Sequence, residues 1–542
     1  MRMLGTGRGA VAGVLAAGTA LGVGQFVAGL TGASGSPVVA VGELQIDFTP
    51  PWLKNFAITE FGSDDKLVLV SGIVVVLAVF AAVIGALATR RLAYGMAGLA
   101  VFAVIGLTAA ATRPDASFAS LLPTLAAVAA AAAVLRFLIP LARPLPVRYP
   151  PAWLDDPVTA ALTDDEPAAD GDGAGNDAGE LASADRGVLV QPRRSFLAAS
   201  AATVGIAAGA GLAGRVLTER SSVTSAQRNL RLPRPVSTES LPPGVNLPVP
   251  GISPFVTSNT SFYRVDTAIV LPQVDPSSWQ LRIHGMVERE ITLTFDDLLH
   301  RPLIEDYITL CCVSDPVQGP YIGNAKWLGA SLSAVLRQAG IKAGADQLMC
   351  TSVDGFTSGT PVQTVMDGRD ALLAVAMNGQ SLPVAHGFPA RMVVPGLYGY
   401  VSATKWVTDI NVTTFAGNYA YWAQRGWSQQ APIKTECRID VPTGQNLGAG
   451  TVAVAGVAWA QHKGIDAVHV RVDRGPWQEA RLAAVPGLDT WQQWVWDWAA
   501  TPGHHVIEAR ATDKTGYTQT IDQAPPEPNG ASGYPTVLVT IT

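Results

Sequence analysis

A chain of 542 residues is too long for one hydrophobic core, so two or three folded units are expected. Apolar residues make up 48% and charged residues 15%, too greasy for a wholly soluble protein and too polar for one that lies in a membrane throughout. The formal charge of −6, with no basic tract, excludes a nucleic-acid binder, and Cys311, Cys312, Cys350 and Cys437 form neither a disulfide framework nor a CxxC zinc pair.

In chain order, four apolar stretches come first, at about 11–30, 67–89, 92–111 and 118–135. Each has the roughly 17–25 residues that a bilayer-crossing helix needs. The first, after Arg2 and Arg8, also has the look of a cleaved signal peptide, but three further spans follow closely and favour its retention. Arg90 and Arg91 lie between the second and third spans, and Arg136, Arg143 and Arg148 follow the fourth. By the positive-inside rule the N-terminus is then cytoplasmic and the spans alternate. Residues 142–192, rich in Pro, Asp and Ala, read as a disordered cytoplasmic linker.

The linker ends in Gln191-Pro192-Arg193-Arg194-Ser195-Phe196-Leu197 ahead of a weakly hydrophobic fifth segment, about 196–213. An arginine pair before a membrane helix satisfies the positive-inside rule by itself, but the fuller pattern resembles the twin-arginine signal that exports folded proteins. With five spans and a cytoplasmic N-terminus, everything after about residue 217 is expected on the extracytoplasmic side. There a proline-rich lead-in (232–253) gives way to alternating strand-like and short helical segments up to about residue 415. The spacing of Leu332, Val335 and Leu336 predicts a helix over 331–340, stopped by Gly340. Beyond Pro432 the pattern is all β, with strands expected at 451–459, 467–472 and 505–511, a sandwich suited to packing or association. The expected units are a four-helix membrane region at 1–141, the linker at 142–192, a fifth membrane helix at 193–216, an α+β domain at 217–425 and an all-β sandwich at 426–542.

Three stretches of the outer half carry chemistry. One runs Ile308-Thr309-Leu310-Cys311-Cys312-Val313-Ser314-Asp315 and on through Asn324 to Lys326-Trp327. Another holds Met377-Asn378-Gly379, His386-Gly387-Phe388-Pro389-Ala390-Arg391, the 395–400 stretch and Lys405-Trp406, and the third holds Asn259 with Phe262-Tyr263-Arg264. A soft thiolate suits a redox-active metal. Adjacent cysteines at a strand end point to opposite faces, so one can bind while its neighbour packs, although two buried structural cysteines are the plainer reading of such a pair. His386, Arg391 and Lys405 are donors of the kind that grip an anion.

In this order the three stretches resemble the sulfite oxidase family of molybdopterin enzymes, and residues 432–435 and 454–459 resemble that family's dimerisation sandwich. The resemblance spans about 235–540. It implies an α+β molybdopterin domain followed by an immunoglobulin-like sandwich, a molybdenum–molybdopterin cofactor, and oxygen-atom transfer to or from a small substrate. It assigns the metal ligand to Cys312, the pterin phosphate to His386, Arg391 and Lys405, and cofactor or substrate contacts to Asn259, Tyr263 and Arg264. Asp354 is a further candidate to line the site, though a turn aspartate reads nearly as well. Arg264 joins Cys312 as a candidate catalytic residue.

Two departures stand out. Relatives that oxidise sulfite carry an arginine where this chain has Val317, and the family's active-site tyrosine aligns with Trp427. Both point to a bulkier or less charged substrate, and they are also the best support for an inactive scaffold or sensor. All seven histidines lie between His284 and His505, beyond the membrane spans, so those spans provide no bis-histidine haem. A separate electron partner, a cytochrome or a quinone-linked protein, is therefore expected, with the outer domain anchored at the cell membrane and a homodimer formed through the terminal sandwich. A channel or transporter with an external sensor is the rival reading, and charge-free spans before residue 135 weigh against it.

Overall fold

The computed structural model describes residues 2–31, 37, 39–42, 49, 65–113, 118–143, 191–220, 223–268 and 270–542. It divides into two compact units, residues 1–221 and 222–542.

The first unit is helical. Its long helices are α1 (Arg2–Thr31), α2 (Asp65–Arg90), α3 (Leu92–Ala111), α4 (Phe118–Ala142) and α5 (Gln191–Arg220). Among the described residues these five are long and apolar enough to cross a membrane. Val75, Val104, Phe137 and Leu212 are each more than 60% exposed, an apolar exterior that suits lipid better than water. α1 packs on α2, α4 and α5, and glycine lets it come close. A Cβ on Gly13 would run into the Ala81 carbonyl, and one on Gly22 into the Ala207 carbonyl. Arg143 donates to the carbonyls of Thr89 (3.1 Å) and Ala88 (3.5 Å), capping the end that α2 leaves unsatisfied.

Helices α1 and α4 run past the apolar stretches expected at 11–30 and 118–135. Hydropathy marks the part of a helix that meets hydrocarbon, whereas backbone hydrogen bonding continues through Arg8 and Arg136, whose long side chains suit an interface. Of the linker expected at 142–192, residues 144–190 lie outside the described residues.

The second unit is rich in sheet. It opens with α6 (Thr224–Asn229) and the proline-rich lead-in. One sheet has the order β1 (Ser237–Thr238), β4 (Leu303–Cys311), β5 (Ile322–Ser331), β8 (Leu372–Met377) and β10 (Arg391–Val393), with β9 (Gln380–Ser381) on β8. A second has the order β3 (Ile291–Thr294), β2 (Gln280–Gly285), β11 (Val407–Thr413), β6 (Gln347–Ser352) and β7 (Thr357–Pro361). Leu328, Val375 and Met392 of the first sheet share a core with Leu281, Ile283, Leu348 and Ile410 of the second, and Trp459 and Trp491 from further along the chain belong to it. Among the described residues, short α-helices connect the strands: α7 (Phe295–Leu299), α8 (Leu332–Ala339), α9 (Val362–Met366) and α10 (Gly399–Ser402). α8 is the helix expected at 331–340. The Ser331 hydroxyl accepts from Ala334 N, and Gly340 ends it at φ +73°.

Beyond residue 432 the strands expected from alternation are present. A four-stranded sheet runs β12 (Glu436–Val441), β14 (Gly450–Trp459), β18 (Gln492–Ala500), β17 (Arg481–Leu482). A five-stranded sheet runs β13 (Gln445–Leu447), β20 (Thr536–Ile541), β19 (Gly503–Asp513), β15 (Ile465–Val472), β16 (Gln478–Glu479). Val454 and Trp494 of one meet Val468, Ile507 and Val539 of the other in a core of their own.

Candidate active site

β4 is covered on both faces, and its last five residues are all buried. Paired antiparallel with β5, it ends with Cys311 opposite Ile322 and hands Cys312 to a turn. That turn is closed from three sides. Cys312 N donates to Tyr321 O (2.9 Å), Asp315 N to Cys312 O (3.1 Å), and Tyr321 N to the Asp315 carboxylate (2.8 Å). The neighbouring thiols differ as strand alternation predicts, Cys311 buried and Cys312 half-buried with its Sγ 2.9 Å from Ser314 Oγ. Burial pushes the Cys312 thiol up, while the Ser314 contacts and the Lys405 charge oppose that rise. A metal would hold the same sulfur as thiolate.

Lys405 is near enough for its charge to act on this sulfur, and Arg391, Arg264 and His386 gather around Lys405. Arg391 lies at the head of β10 and is buried. Among the described residues its guanidinium meets backbone carbonyls, those of His386 (3.1 Å), Ala403 (3.2 Å) and Met392 (3.3 Å), and the ring of Trp327 at 5.0 Å. Burial brings its pKa down to about 10. Lys405 Nζ contacts Asp266 Oδ2 (3.1 Å) and Ala385 O (3.3 Å), and lies 5.3 Å from the Trp406 ring centre. Burial lowers Lys405 to about 8, with Asp266 opposing and Arg391 and Arg264 adding to the fall. Arg264 shares the same carboxylate through its Nε (2.8 Å) and is the more exposed partner. Two cations, Lys405 and Arg264, thus share one aspartate.

His386 is buried, and its Nε2 donates to Asn259 O (3.1 Å). Burial first, then Arg391 and Lys405, bring it down to about 4, so it is neutral at neutral pH. Asn259 is held by Asn378, whose amide donates to Asn259 Oδ1 (2.8 Å) and to Thr257 O (2.9 Å). Tyr263 stacks on Phe262 (5.2 Å between ring centres). Burial raises its pKa and the thiols of Cys312 and Cys311 add to that, which keeps it a neutral phenol. Gly387 takes φ +109°, where a Cβ would stand 3.0 Å from Arg391 Cβ and 3.1 Å from Lys405 Cβ. The two cations can approach here because glycine adds no bulk.

Cys312, Tyr263, Arg391, His386, Lys405, Arg264 and Asn259 therefore fall in one neighbourhood although they span about 150 residues of sequence. Asp354 sits apart from these contacts. Its carboxylate accepts from Phe356 N (3.2 Å) and closes the turn between β6 and β7, which is tied to Trp406 O through Val353 N (3.0 Å). Asp266 is the residue that sequence reasoning missed. Its position two residues after Arg264 was the available signal. Val317 is half-buried in the Cys312 turn, and Trp427 meets Tyr400 (6.1 Å) and Trp422 (6.2 Å) in an aromatic group. Chemically, the neighbourhood offers one thiol beside a cradle with surplus positive charge. That combination suits a soft metal whose organic ligand carries an anionic tail.

Residues 268–422 match the family model described as an oxidoreductase molybdopterin binding domain. The chain is similar to rat mitochondrial sulfite oxidase, 29% identical over 290 residues that cover 45% of this chain and 52% of the relative. It is also similar to chicken (Gallus gallus) sulfite oxidase, 30% identical, covering 45% of this chain and 62% of the relative. An uncharacterised oxidoreductase of Bacillus subtilis, YuiH, is 30% identical over 176 residues, 32% of this chain and 85% of the relative. The chain spans about half the length of the mammalian sulfite oxidases it matches. Among solved structures it is similar to the sulfane dehydrogenase SoxCD from Paracoccus pantotrophus, at 24% identity and a TM-score of 0.47, covering 53% of this chain and 82% of that one.

Proposed function

Because this chain belongs to the sulfite oxidase family of molybdopterin oxidoreductases, we propose that it is a membrane-anchored, molybdopterin-dependent oxidoreductase that moves an oxygen atom to or from a small substrate outside the cytoplasmic membrane. The observation that carries this reading is the half-buried Cys312 thiol beside a cluster where Arg391 is buried without an acidic partner among the described residues. A buried cation is costly unless an anion joins it, and the phosphate of a molybdopterin fits that need. Bound there, the cofactor would supply a metal centre able to exchange an oxygen atom and two electrons.

The protein's own groups have distinct tasks. Cys312 is the metal ligand, kept at the mouth of its turn by Tyr321 and Asp315. Arg391 and Lys405 hold the phosphate, and neutral His386 adds an uncharged donor or acceptor without competing for that charge. Tyr263 keeps its proton close to the thiol and can donate a hydrogen bond there. Arg264, the exposed member of the Asp266 pair, faces solvent and can meet substrate. Val317 in place of an arginine and Trp427 in place of a tyrosine make an S-oxide or N-oxide a better substrate than a small dianion.

The five apolar helices anchor the outer domain, and the Arg193-Arg194 motif exports it already folded. The terminal strands form an immunoglobulin-like sandwich through which two chains associate. Electrons pass to or from a separate cytochrome or quinone-linked protein. The test uses full-length protein purified in detergent from a molybdenum-replete host, with sulfite, nitrate, S-oxides and N-oxides supplied alongside artificial electron donors and acceptors. Turnover of an S- or N-oxide supports the reading. Metal-loaded protein that turns over none of them is the scaffold that Val317 and Trp427 would also suit. Arg193→Lys/Arg194→Lys should leave the outer domain beyond the reach of external protease, and continued accessibility would refute the export route.

A further inference from the structure

The strands beyond residue 432 read as a packing or association module, yet their first strand reaches the turn that carries Cys312. We propose that β12 is a positioning element for the Cys312 sulfur, acting through Gln318 and Arg438, which clamp the 312–321 turn to it. The proposal rests on Cys312 being the metal ligand and adds what holds that ligand in place.

β12 is an edge strand, with β14 on one side only. Its open side is filled by a side chain. Ile439 N donates to Gln318 Oε1 (3.0 Å), and Gln318 Nε2 donates back to Ile439 O. One amide thus replaces the two bonds a neighbouring strand would make. Gln318 holds φ +70° while doing so, a left-handed conformation that a glutamine keeps only where its surroundings fix it. The adjacent residue of β12 makes the second hold. Arg438 donates through one terminal nitrogen to Gly319 O (2.9 Å), through the other to Ser253 Oγ (2.8 Å), and through Nε to Asp440 Oδ1 (2.8 Å). Asp440 in turn accepts from Ser253 N (2.9 Å), so the guanidinium has little freedom to swing.

Gly319 passes the constraint on. A Cβ there would collide with the Asp315 carboxylate and stand 2.7 Å from Pro316 Cδ, so the clamped residue lies directly against the aspartate that closes the turn. Asp315 bonds Tyr321 N through its side chain and Cys312 O through its amide, and Tyr321 O takes Cys312 N. Every step from Ile439 to Cys312 is therefore a direct contact. The strand leading into Cys312 is fixed from the same part of the chain. Thr309 N donates to Asp489 O (2.9 Å), its hydroxyl accepts from Trp491 N (2.8 Å), and Gln461 Nε2 donates to its carbonyl (3.2 Å). Cys312 is held before and after by residues of the terminal sheets and their loops. A metal ligand kept this way has its sulfur direction set by a remote backbone, as outer-shell partners do at other metal centres.

The test compares wild type with Gln318→Ala, Gln318→Gly and Arg438→Lys in the full-length protein. Glycine relieves the left-handed strain but removes the clamp, and lysine keeps a charge opposite Asp440 but loses the fork. Amide hydrogen exchange of the cofactor-free protein should speed up by about tenfold or more across 312–321 in all three, with β14 and β19 unchanged. In cofactor-loaded protein of equal metal content, the paramagnetic and thiolate-to-metal absorption signals should shift. If Gln318→Ala loses protection throughout β14 and β19, Gln318→Gly and Arg438→Lys decide by the same two readouts. Exchange within about twofold of wild type across 312–321, with superimposable metal signals, overturns the proposal. Cys312→Ser is run alongside. Metal retained in that variant sinks the ligand assignment itself, while the exchange result still decides whether β12 holds the turn.

Discussion

Lys405 offers a quantitative test of the anion cradle. Its ammonium lies against Asp266 (3.1 Å) and Ala385 O (3.3 Å), and its pKa falls from the ordinary 10.5 to about 8, chiefly through burial. At roughly 1.4 kcal/mol per pH unit, the folded surroundings disfavour the charged form by about 3 kcal/mol. Between pH 8 and 10.5 the unfolded chain keeps a proton that the folded chain has released, so stability contributed by this site rises with pH across that window. The perturbation is Lys405→Met, which has no proton to release. Denaturant midpoints of the cofactor-free, full-length protein at pH 7 and at pH 11 are the measurement. The stability of wild type relative to Lys405→Met should improve by about 3 kcal/mol on going from the lower to the higher pH. Inorganic phosphate at saturating concentration should flatten that slope, because a bound anion restores the ammonium. A wild-type-minus-variant difference that stays level with pH, or falls, refutes the reasoning that Lys405 is a largely desolvated cation sharing its one aspartate with Arg264.

His386 behaves in the same way at acid pH. Its fall from 6.5 to about 4 makes folding lose stability as pH drops from 6.5 towards 4, by about 3 kcal/mol in total, and His386→Gln should remove that dependence from the acid unfolding curve. Gly387→Ala meets both a left-handed backbone and the Cβ atoms of Arg391 and Lys405. It should destabilise by about 1–3 kcal/mol and lower cofactor content, whereas Gly379→Ala, also left-handed but with nothing within 4 Å, should leave cofactor content unchanged by metal and pterin analysis. Val317→Arg adds the cation that a dianion needs. It should lower the KM for sulfite by about tenfold while leaving S-oxide turnover less affected, and an unchanged sulfite KM would show that position 317 does not face the substrate.

Much of the architecture could be read from residue order alone, for local reasons. The apolar runs became α1 to α5, Ser331 and Gly340 bounded α8, and alternation located β14, β15 and β19. The contrast between Cys311 and Cys312 followed from strand geometry once a strand was expected to end there. What stayed hidden depends on contacts between distant residues. Asp266 matters because Lys405, 139 residues away, folds onto it. Gln318 and Arg438 look like ordinary surface residues until β12 is brought against the Cys312 turn, across 121 and 119 residues respectively. The lengths of α1 and α4 were underestimated because hydropathy does not report where helical hydrogen bonding stops. Asp354 is a site candidate in the sequence with a turn role close behind, and the structure shows its carboxylate accepting from Phe356 N.

The most direct measurement is the molybdenum and pterin content of full-length protein purified from a molybdenum-replete host, for wild type, Cys311→Ser and Cys312→Ser. Near-stoichiometric metal in wild type and Cys311→Ser, lost in Cys312→Ser, is the expected result. Wild-type protein that carries neither metal nor pterin, or a Cys312→Ser variant that keeps its molybdenum, would contradict the assignment of this sulfur as the ligand.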